Sequence, residues 1–220
     1  MAEIDFIQSL HKSTSRNYLE RVNAHDKAEC AEVACRFGEE YWDGERQYGY
    51  GGYRYDGRWR TVAEAMVKHY GLTADSNILD VGCGKGYLLY EFTQVLPGCG
   101  VTGIDLSTYA IEHAKDEIRP HILRGSASGL PWPDDSFDFV VSLNALHNLL
   151  IRDLWSAIGE IERVGREAKY IALESYRNDR EKVNLLYWQL TCRAFHSTDE
   201  WEWIYETVGY TGDWGYIFFE

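Results

Sequence analysis

The chain has no C-x-x-C pair, no excess of basic residues, no long apolar run, no internal repeat and no low-complexity tail. Each absence removes a class of protein. Its five cysteines, Cys30, Cys35, Cys83, Cys99 and Cys192, are odd in number and scattered. That fits reduced thiols in a cytoplasmic setting rather than a disulfide framework or a zinc site, and no metal is expected. A net charge of -13 stands against a nucleic-acid partner, whose phosphates call for a basic surface. No window approaches the roughly 18 apolar residues of a membrane span, so no membrane partner is expected. The acidic start, Met1 to Asp5, lacks the basic and apolar regions of a signal peptide.

What the chain does have is aromatic: 15% of its residues, with 16 Tyr and 8 Trp, gathered in Tyr41–Trp59 and Tyr187–Tyr216. These are either ordinary core and surface residues or the walls of a substrate pocket. Residues 1–40 read as one or two helices with polar breaks near Ser13–Ser15 and Asn23–His25. Tyr48–Arg60 is too rich in glycine for a regular element. Thr61 and Glu64 have the spacing of a capping box for a helix to about Tyr70, with Gly71 as its C-terminal cap. From residue 77 strands and helices alternate. Strands are expected at Asn77–Val81, Gly100–Ile104, Phe137–Leu143, Tyr170–Leu173 and Gly215–Phe219, with a short apolar stretch at His121–Arg124. Helices are expected from Gly86 to Leu96, Tyr109 to Glu117, Ile151 to Val164, Glu181 to Phe195, and from a Ser197/Glu200 cap to Gly209. Such alternation is the pattern of an α/β fold with a mostly parallel sheet, whose ligands bind at the carboxyl ends of the strands. Residues 1–72 would form a helical and Tyr/Gly/Arg lid segment, and residues 73–220 the core.

The densest signal is Leu79-Asp80-Val81-Gly82-Cys83-Gly84-Lys85-Gly86, a strand that runs into a glycine turn and then a helix. Glycine allows the backbone to approach a ligand closely, and the helix start offers unpaired N–H groups. Asp80 either accepts a hydrogen bond from a ligand amine or only orients the loop. Asp105, about 20 positions beyond the turn, is placed to take both hydroxyls of a ribose, a spacing shared with nicotinamide enzymes. Two further segments follow in order, Gly103-Ile104-Asp105-Leu106-Ser107 and Leu130-Pro131-Trp132-Pro133-Asp134-Asp135-Ser136-Phe137-Asp138-Phe139-Val140-Val141-Ser142. Together they resemble the class I S-adenosylmethionine-dependent methyltransferases of the small-molecule type, over roughly residues 75–175.

The resemblance implies a Rossmann-like sheet flanked by helices and S-adenosylmethionine as cofactor. It implies that Asp80, Gly82 and Gly84 line the methionine end, that Asp105 binds the ribose, and that Leu106 lies against the adenine. Asn144 would close over the methionine portion. The family often has an acidic residue after the glycine of the next loop, whereas Gly125 is followed here by Ser126 and Ala127. The Ser126 hydroxyl or the Ala127 backbone would serve in its place. The family normally ends on an antiparallel strand pair, so the sheet edge here is either abbreviated or completed by a partner. Cys83 reads as a small, inert residue of the turn.

Methyl transfer from a sulfonium is an in-line displacement, so the protein positions the acceptor and removes its proton. His147, just after the fourth strand, and Glu174, at the end of the fifth, are the candidate bases. His147 is alternatively a satisfied structural histidine, and Glu174 alternatively a partner of Arg177. In the loop, Arg54 and Arg58 with Tyr50, Tyr53 and Trp59 would hold an anionic substrate, guanidinium forks being suited to carboxylate or phosphate. The loop is alternatively a lid with its arginines paired to Asp43, Glu45 or Asp56. Tyr18 and Arg21 are weaker candidates to cap the cofactor. Tyr176 is a further substrate candidate, and the aromatic C-terminal region either walls the acceptor pocket or forms a homodimer contact. The leading expectation is a methyltransferase acting on oxygen or nitrogen of a small polar, anionic metabolite such as a sugar, a cell-surface precursor or a specialised metabolite. A protein or peptide methyltransferase, a non-catalytic cofactor-binding module and a nicotinamide oxidoreductase are the alternatives.

Overall fold

Polar side chains that cap one helix also end the one before it, so the N-terminal part of the chain breaks into short helices. The computed structural model describes residues 1–12 and 16–220. α1 (Gln8–Lys12) precedes α2 (Tyr18–Asn23), which starts on Asn17 with its side chain on the Glu20 N–H. α3 (Lys27–Ala34) starts on Asp26, whose carboxylate takes the N–H groups of Ala28 and Glu29. The break expected at Asn23–His25 lies between α2 and α3. The one expected at Ser13–Ser15 lies outside the described residues.

α4 (Glu39–Trp42) and α5 (Arg60–Tyr70) flank the Tyr/Gly/Arg loop. The expected Thr61–Glu64 capping box does not form: α5 starts two residues earlier, on Trp59, with no side-chain cap. The Trp59 indole donates to the Tyr53 hydroxyl at 3.0 Å, which fixes the residue before the helix. Glu64 turns instead to Arg60, 3.2 Å away. Gly71 ends the helix with φ 63°, as expected.

The alternating part runs β1 (Asn77–Val81), α6 (Tyr87–Val95), β2 (Gly100–Asp105), α7 (Thr108–Glu112), β3 (Ile122–Arg124), β4 (Phe137–Leu143), α8 (Ile151–Val164), β5 (Gly165–Glu174), α9 (Asp179–Trp188), α10 (Thr198–Val208) and β6 (Asp213–Ile217). Among the described residues the sheet has the order β3-β2-β1-β4-β5-β6, with every pairing parallel. This is a Rossmann-like α/β fold. The strand order reverses between β1 and β4, which opens a crevice at their carboxyl ends. Asp80, Asp105, Asn144 and Glu174 all fall at that edge.

α8 buries Leu154, Ala157, Ile158, Ile161 and Val164, spaced three or four apart on one face. α10 carries the expected capping box of Ser197 and Glu200. Several boundaries differ from expectation, and β6 runs from Asp213 to Ile217 rather than from Gly215 to Phe219. α7 stops at Glu112 and β5 begins at Gly165. α9 stops at Trp188 rather than Phe195, because other groups take its last carbonyls and the chain beyond them. The Lys27 ammonium donates to the carbonyls of Tyr187 and Gln189, and the N–H groups of Arg193 and Ala194 both donate to the His147 carbonyl. Residues 189–195 therefore cross the strand ends instead of extending the helix.

The sheet edge at β6 is completed by the same chain. The Ile4 N–H donates to the Trp214 carbonyl at 2.7 Å, and the Trp214 N–H to the Ala2 carbonyl at 3.0 Å. Trp201, Tyr205, Tyr210 and Tyr216 are buried with α8 in one face of the core. That corrects the expectation that this stretch walls the acceptor pocket. Trp203, 59% exposed, stays at the surface. Among the described residues no helix is long and apolar enough to cross a membrane.

Candidate active site

The turn after β1 is shaped by two glycines. Gly82 and Gly84 have φ of 80° and 54°, and a Cβ on either would meet Ala145 at 2.2 Å or the Trp42 ring at 2.7 Å. Only glycine satisfies both demands. Asp105 holds the turn open from the end of β2, its two oxygens accepting the N–H groups of Gly84 at 2.7 Å and Ser107 at 2.8 Å. Asp80 is buried, and the pKa of its carboxyl is pushed up to about 8 by that burial and by the charge of Asp105. Burial also pushes the Cys83 thiol up, which keeps it protonated and inert.

The Tyr/Gly/Arg loop is latched onto this turn. Lys85, 3% exposed, donates to Asp43 at 2.6 and 2.8 Å and to the Tyr53 carbonyl at 2.9 Å. The Tyr109 hydroxyl donates to the same Asp43 at 2.9 Å. Burial works against the Asp43 anion, yet Lys85 and Tyr109 hold its pKa below the usual carboxylate range. Trp42 lies over Gly84, donates to Ser107 at 3.0 Å and stacks on Tyr50 with centroids 5.3 Å apart. The result is an aromatic roof over the strand ends.

Under the roof lie two adjoining cavities. One, of about 230 Å³, is lined by the glycine turn, Asp80, Asp105, Leu106, Ser126 and Ala127. The other, of about 380 Å³, reaches His147, Glu174, Trp188 and Gln189. Tyr41, Tyr50, Tyr53, Trp59 and Asn144 line both. Volumes of this size suit small molecules.

The lining residues carry four buried polar atoms with no hydrogen-bond partner among the described residues: Asn144 Oδ1 beside both cavities, Asn148 Oδ1 beside the smaller, and His147 Nδ1 and Glu174 Oε2 beside the larger. Such atoms are costly unless a ligand or water meets them. Asn144 also holds the left-handed conformation, with φ 56°, a strain found at functional sites. His147 Nε2 lies 3.5 Å from Glu174 Oε2. Burial pushes the imidazole pKa down to about 3. It pushes the Glu174 pKa up to about 8, against a hydrogen bond from Gln189 and the charge of Arg16. At pH 7 the two groups therefore meet as neutral partners, and the carboxyl is the stronger base once ionised.

Most of the residues singled out in the sequence come together here. Leu106 is 58% exposed at the lip of the smaller cavity, and Arg54 and Arg58 line the larger. Arg58 is engaged by Asp56 at 2.8 and 2.9 Å, the lid pairing foreseen as the alternative. Tyr18 and Tyr176 line neither cavity, and the Tyr18 hydroxyl donates to the Glu220 carbonyl at 3.1 Å. Past Glu174 the chain bridges to Ser197, so the Tyr176 hydroxyl meets Glu200 at 3.5 Å and its ring lies under Lys182. Trp188 lines the larger cavity, as expected of the aromatic C-terminal region, whereas Trp42, Asp43, Lys85, Arg16, Arg46 and Gln189 lie at the cavities or their roof and were not singled out. The aromatic run Tyr41–Trp59 pointed at Trp42, but no spacing pointed at the others.

Residues 79–173 match the model of a family described as a methyltransferase domain. An uncharacterized methyltransferase of Bacillus subtilis, YcgJ, is 28% identical over 120 residues, which is 50% of this chain and 45% of that protein. The 27-O-demethylrifamycin SV methyltransferase of Amycolatopsis mediterranei is 33% identical over 112 residues, 48% of this chain and 40% of that one. The matches thus span less than half the length of these relatives. The crystal structure of YcgJ superposes with a TM-score of 0.56 at 24% identity, covering 66% of each chain.

Proposed function

We propose that this chain, whose residues 79–173 are a class I methyltransferase domain, transfers a methyl group from S-adenosylmethionine to oxygen or nitrogen of a small polar, anionic molecule. The observation that carries this is the pair of adjoining cavities with unpartnered polar atoms on the residues that line them. The residues present suit the cofactor. Each Asp105 oxygen accepts one backbone N–H and keeps capacity for a ribose hydroxyl. Leu106 has an exposed apolar face for the adenine, beside Ser126 and Ala127. Asp80, Gly82, Gly84 and Asn144 would line the methionine end. When bound, the cofactor supplies an electrophilic methyl group on a sulfonium. Glu174, as carboxylate, takes the acceptor proton, and His147 and Asn144 orient the acceptor. The aromatic roof excludes water and favours a small acceptor over an extended peptide. The net charge of -13 opposes a nucleic-acid acceptor, and the free thiols suit the cytoplasm.

The test is calorimetric titration with S-adenosylhomocysteine, followed by a screen of small acidic metabolites for its release from S-adenosylmethionine. Absence of cofactor binding would sink the proposal. Asp105→Ala should weaken cofactor binding by about 1–3 kcal/mol, from lost charge-assisted hydrogen bonds. An unchanged Kd would remove Asp105 from the ribose.

Asp80 adds a pH signature. Its carboxyl, with a pKa of about 8, is mostly protonated at pH 7. A cationic ligand beside it favours the anion, so binding releases a proton and affinity rises with pH up to about 8. Binding heats at pH 7 in phosphate and Tris should therefore differ in proportion to the buffers' ionisation enthalpies. Equal heats would place the cation elsewhere.

A further inference from the structure

Three guanidinium groups surround one indole on the lid side of the larger cavity. Arg16, Arg21 and Arg46 lie 5.3, 5.2 and 5.4 Å from the Trp188 ring centroid. They come from different elements: the segment before α2, α2 itself, and the loop after α4. All three line the cavity that reaches Glu174 and His147.

Their bonds are to neutral groups where the partners are seen. Arg21 donates to the Arg46 carbonyl at 2.6 Å, and Arg46 to the carbonyls of Gly49 and Tyr50 at 2.9 Å each. Arg16 donates to the His11 carbonyl and meets its ring nitrogen. Neither Arg21 nor Arg46 has a carboxylate partner among the described residues, although the protein is strongly acidic. By contrast, Arg58, Arg163 and Arg177 each have one. Burial, and then the neighbouring Arg46, lower the Arg21 pKa, so the cluster is held together against its own repulsion. The indole stabilises cations on its faces, yet it supplies no negative charge.

We infer that Arg16, Arg21 and Arg46 form a seat for an oxyanion, a carboxylate or a phosphate monoester, carried by the methyl acceptor. This rests on the methyl-transfer proposal and moves the anion from Arg54 and Arg58 to the trio around Trp188. Guanidinium forks match the planar oxygens of both anions. The acid would dock against Trp188 while the nucleophile faces Glu174. The overall negative charge is little obstacle, because exposed charges beyond about 8–10 Å are screened at physiological salt.

The test is titration calorimetry of the full chain with benzoate and with phenyl phosphate, in the presence and absence of S-adenosylhomocysteine. At low salt at least one probe should bind, more weakly as salt rises, and the preferred probe names the anion. Arg21→Gln and Arg46→Gln should each lower its affinity about tenfold or more, as loss of a charged hydrogen-bond partner does. Cofactor affinity should hold. Because Arg46 also braces the loop, Arg21→Gln decides the matter if Arg46→Gln melts early. Failure of both probes to bind, or unchanged affinity in Arg21→Gln, would overturn the seat. Binding of S-adenosylhomocysteine without either probe leaves the methyl-transfer proposal standing alone. Binding of a probe without S-adenosylhomocysteine does the reverse.

Discussion

Glu174→Gln should lower turnover by about two to four orders of magnitude, the usual loss when a positioned base is removed, with cofactor affinity unchanged. Glutamine keeps the shape and the contact with Gln189 but accepts no proton. In the parent protein the rate should rise with pH and level off above about 8, as the Glu174 carboxyl ionises. His147, with a pKa of about 3, stays neutral across that range and adds no second limb. The same substitution should stabilise the fold. Burial raises the Glu174 pKa from 4.5 to about 8, so its folded form holds a proton that the unfolded chain releases. Stability from this group is complete below about pH 4.5 and is lost as pH rises to about 8, a cost on the order of 5 kcal/mol. Thermal melts of Glu174→Gln should therefore exceed the parent at pH 8 and approach it at pH 4.5. Full turnover in the variant would place the base elsewhere, and equal melts at pH 8 would deny the buried, protonated carboxyl.

The second large effect falls on the latch. Asp43→Ala leaves the Lys85 ammonium buried with only the Tyr53 carbonyl, and deprives the Tyr109 hydroxyl and the Tyr53 N–H of their acceptor. Breaking one side of a buried ion pair costs about 3–5 kcal/mol. In a domain of this size each kcal/mol is worth about 2–4 °C, so the midpoint should fall by roughly 6–20 °C. Donor affinity should fall too, since Trp42, next in the chain, roofs the glycine turn. Removing both charges, as in Asp43→Leu with Lys85→Met, should lose much less stability than Asp43→Ala. If the single and double variants melt together, the pair is not what holds the lid.

The residues that gather at the smaller cavity were readable from the sequence because they are local. Gly82, Gly84 and Asp80 lie in one short stretch, and Asp105 ends the next strand. The larger cavity was not, because its parts come from unconnected elements. Arg16, Arg46 and Trp188 lie far apart in the chain, and nothing in their spacing foretells that they meet. The Thr61–Glu64 pattern failed for a related reason: a tertiary bond between Trp59 and Tyr53 chose the helix start over the local cap. Tyr176 was misplaced because the chain bends toward Ser197 just past the last residue of β5. Glu174 and His147 were found by their positions at strand ends, whereas their neutral pairing follows from burial that only packing defines.

The two cavities differ in how they draw on the chain. The smaller is bounded by residues between Phe37 and Leu149, the larger by Ile7 at one extreme and Phe219 at the other. Ribosomes add about 5–20 residues per second, so several seconds separate the last residue of the smaller cavity from the last residue of the larger. Every side chain that lines the smaller cavity has been made while the larger still lacks Ile217 and Phe219. On the proposed reading, the residues that would hold the methyl donor are therefore all made before those that would hold the acceptor.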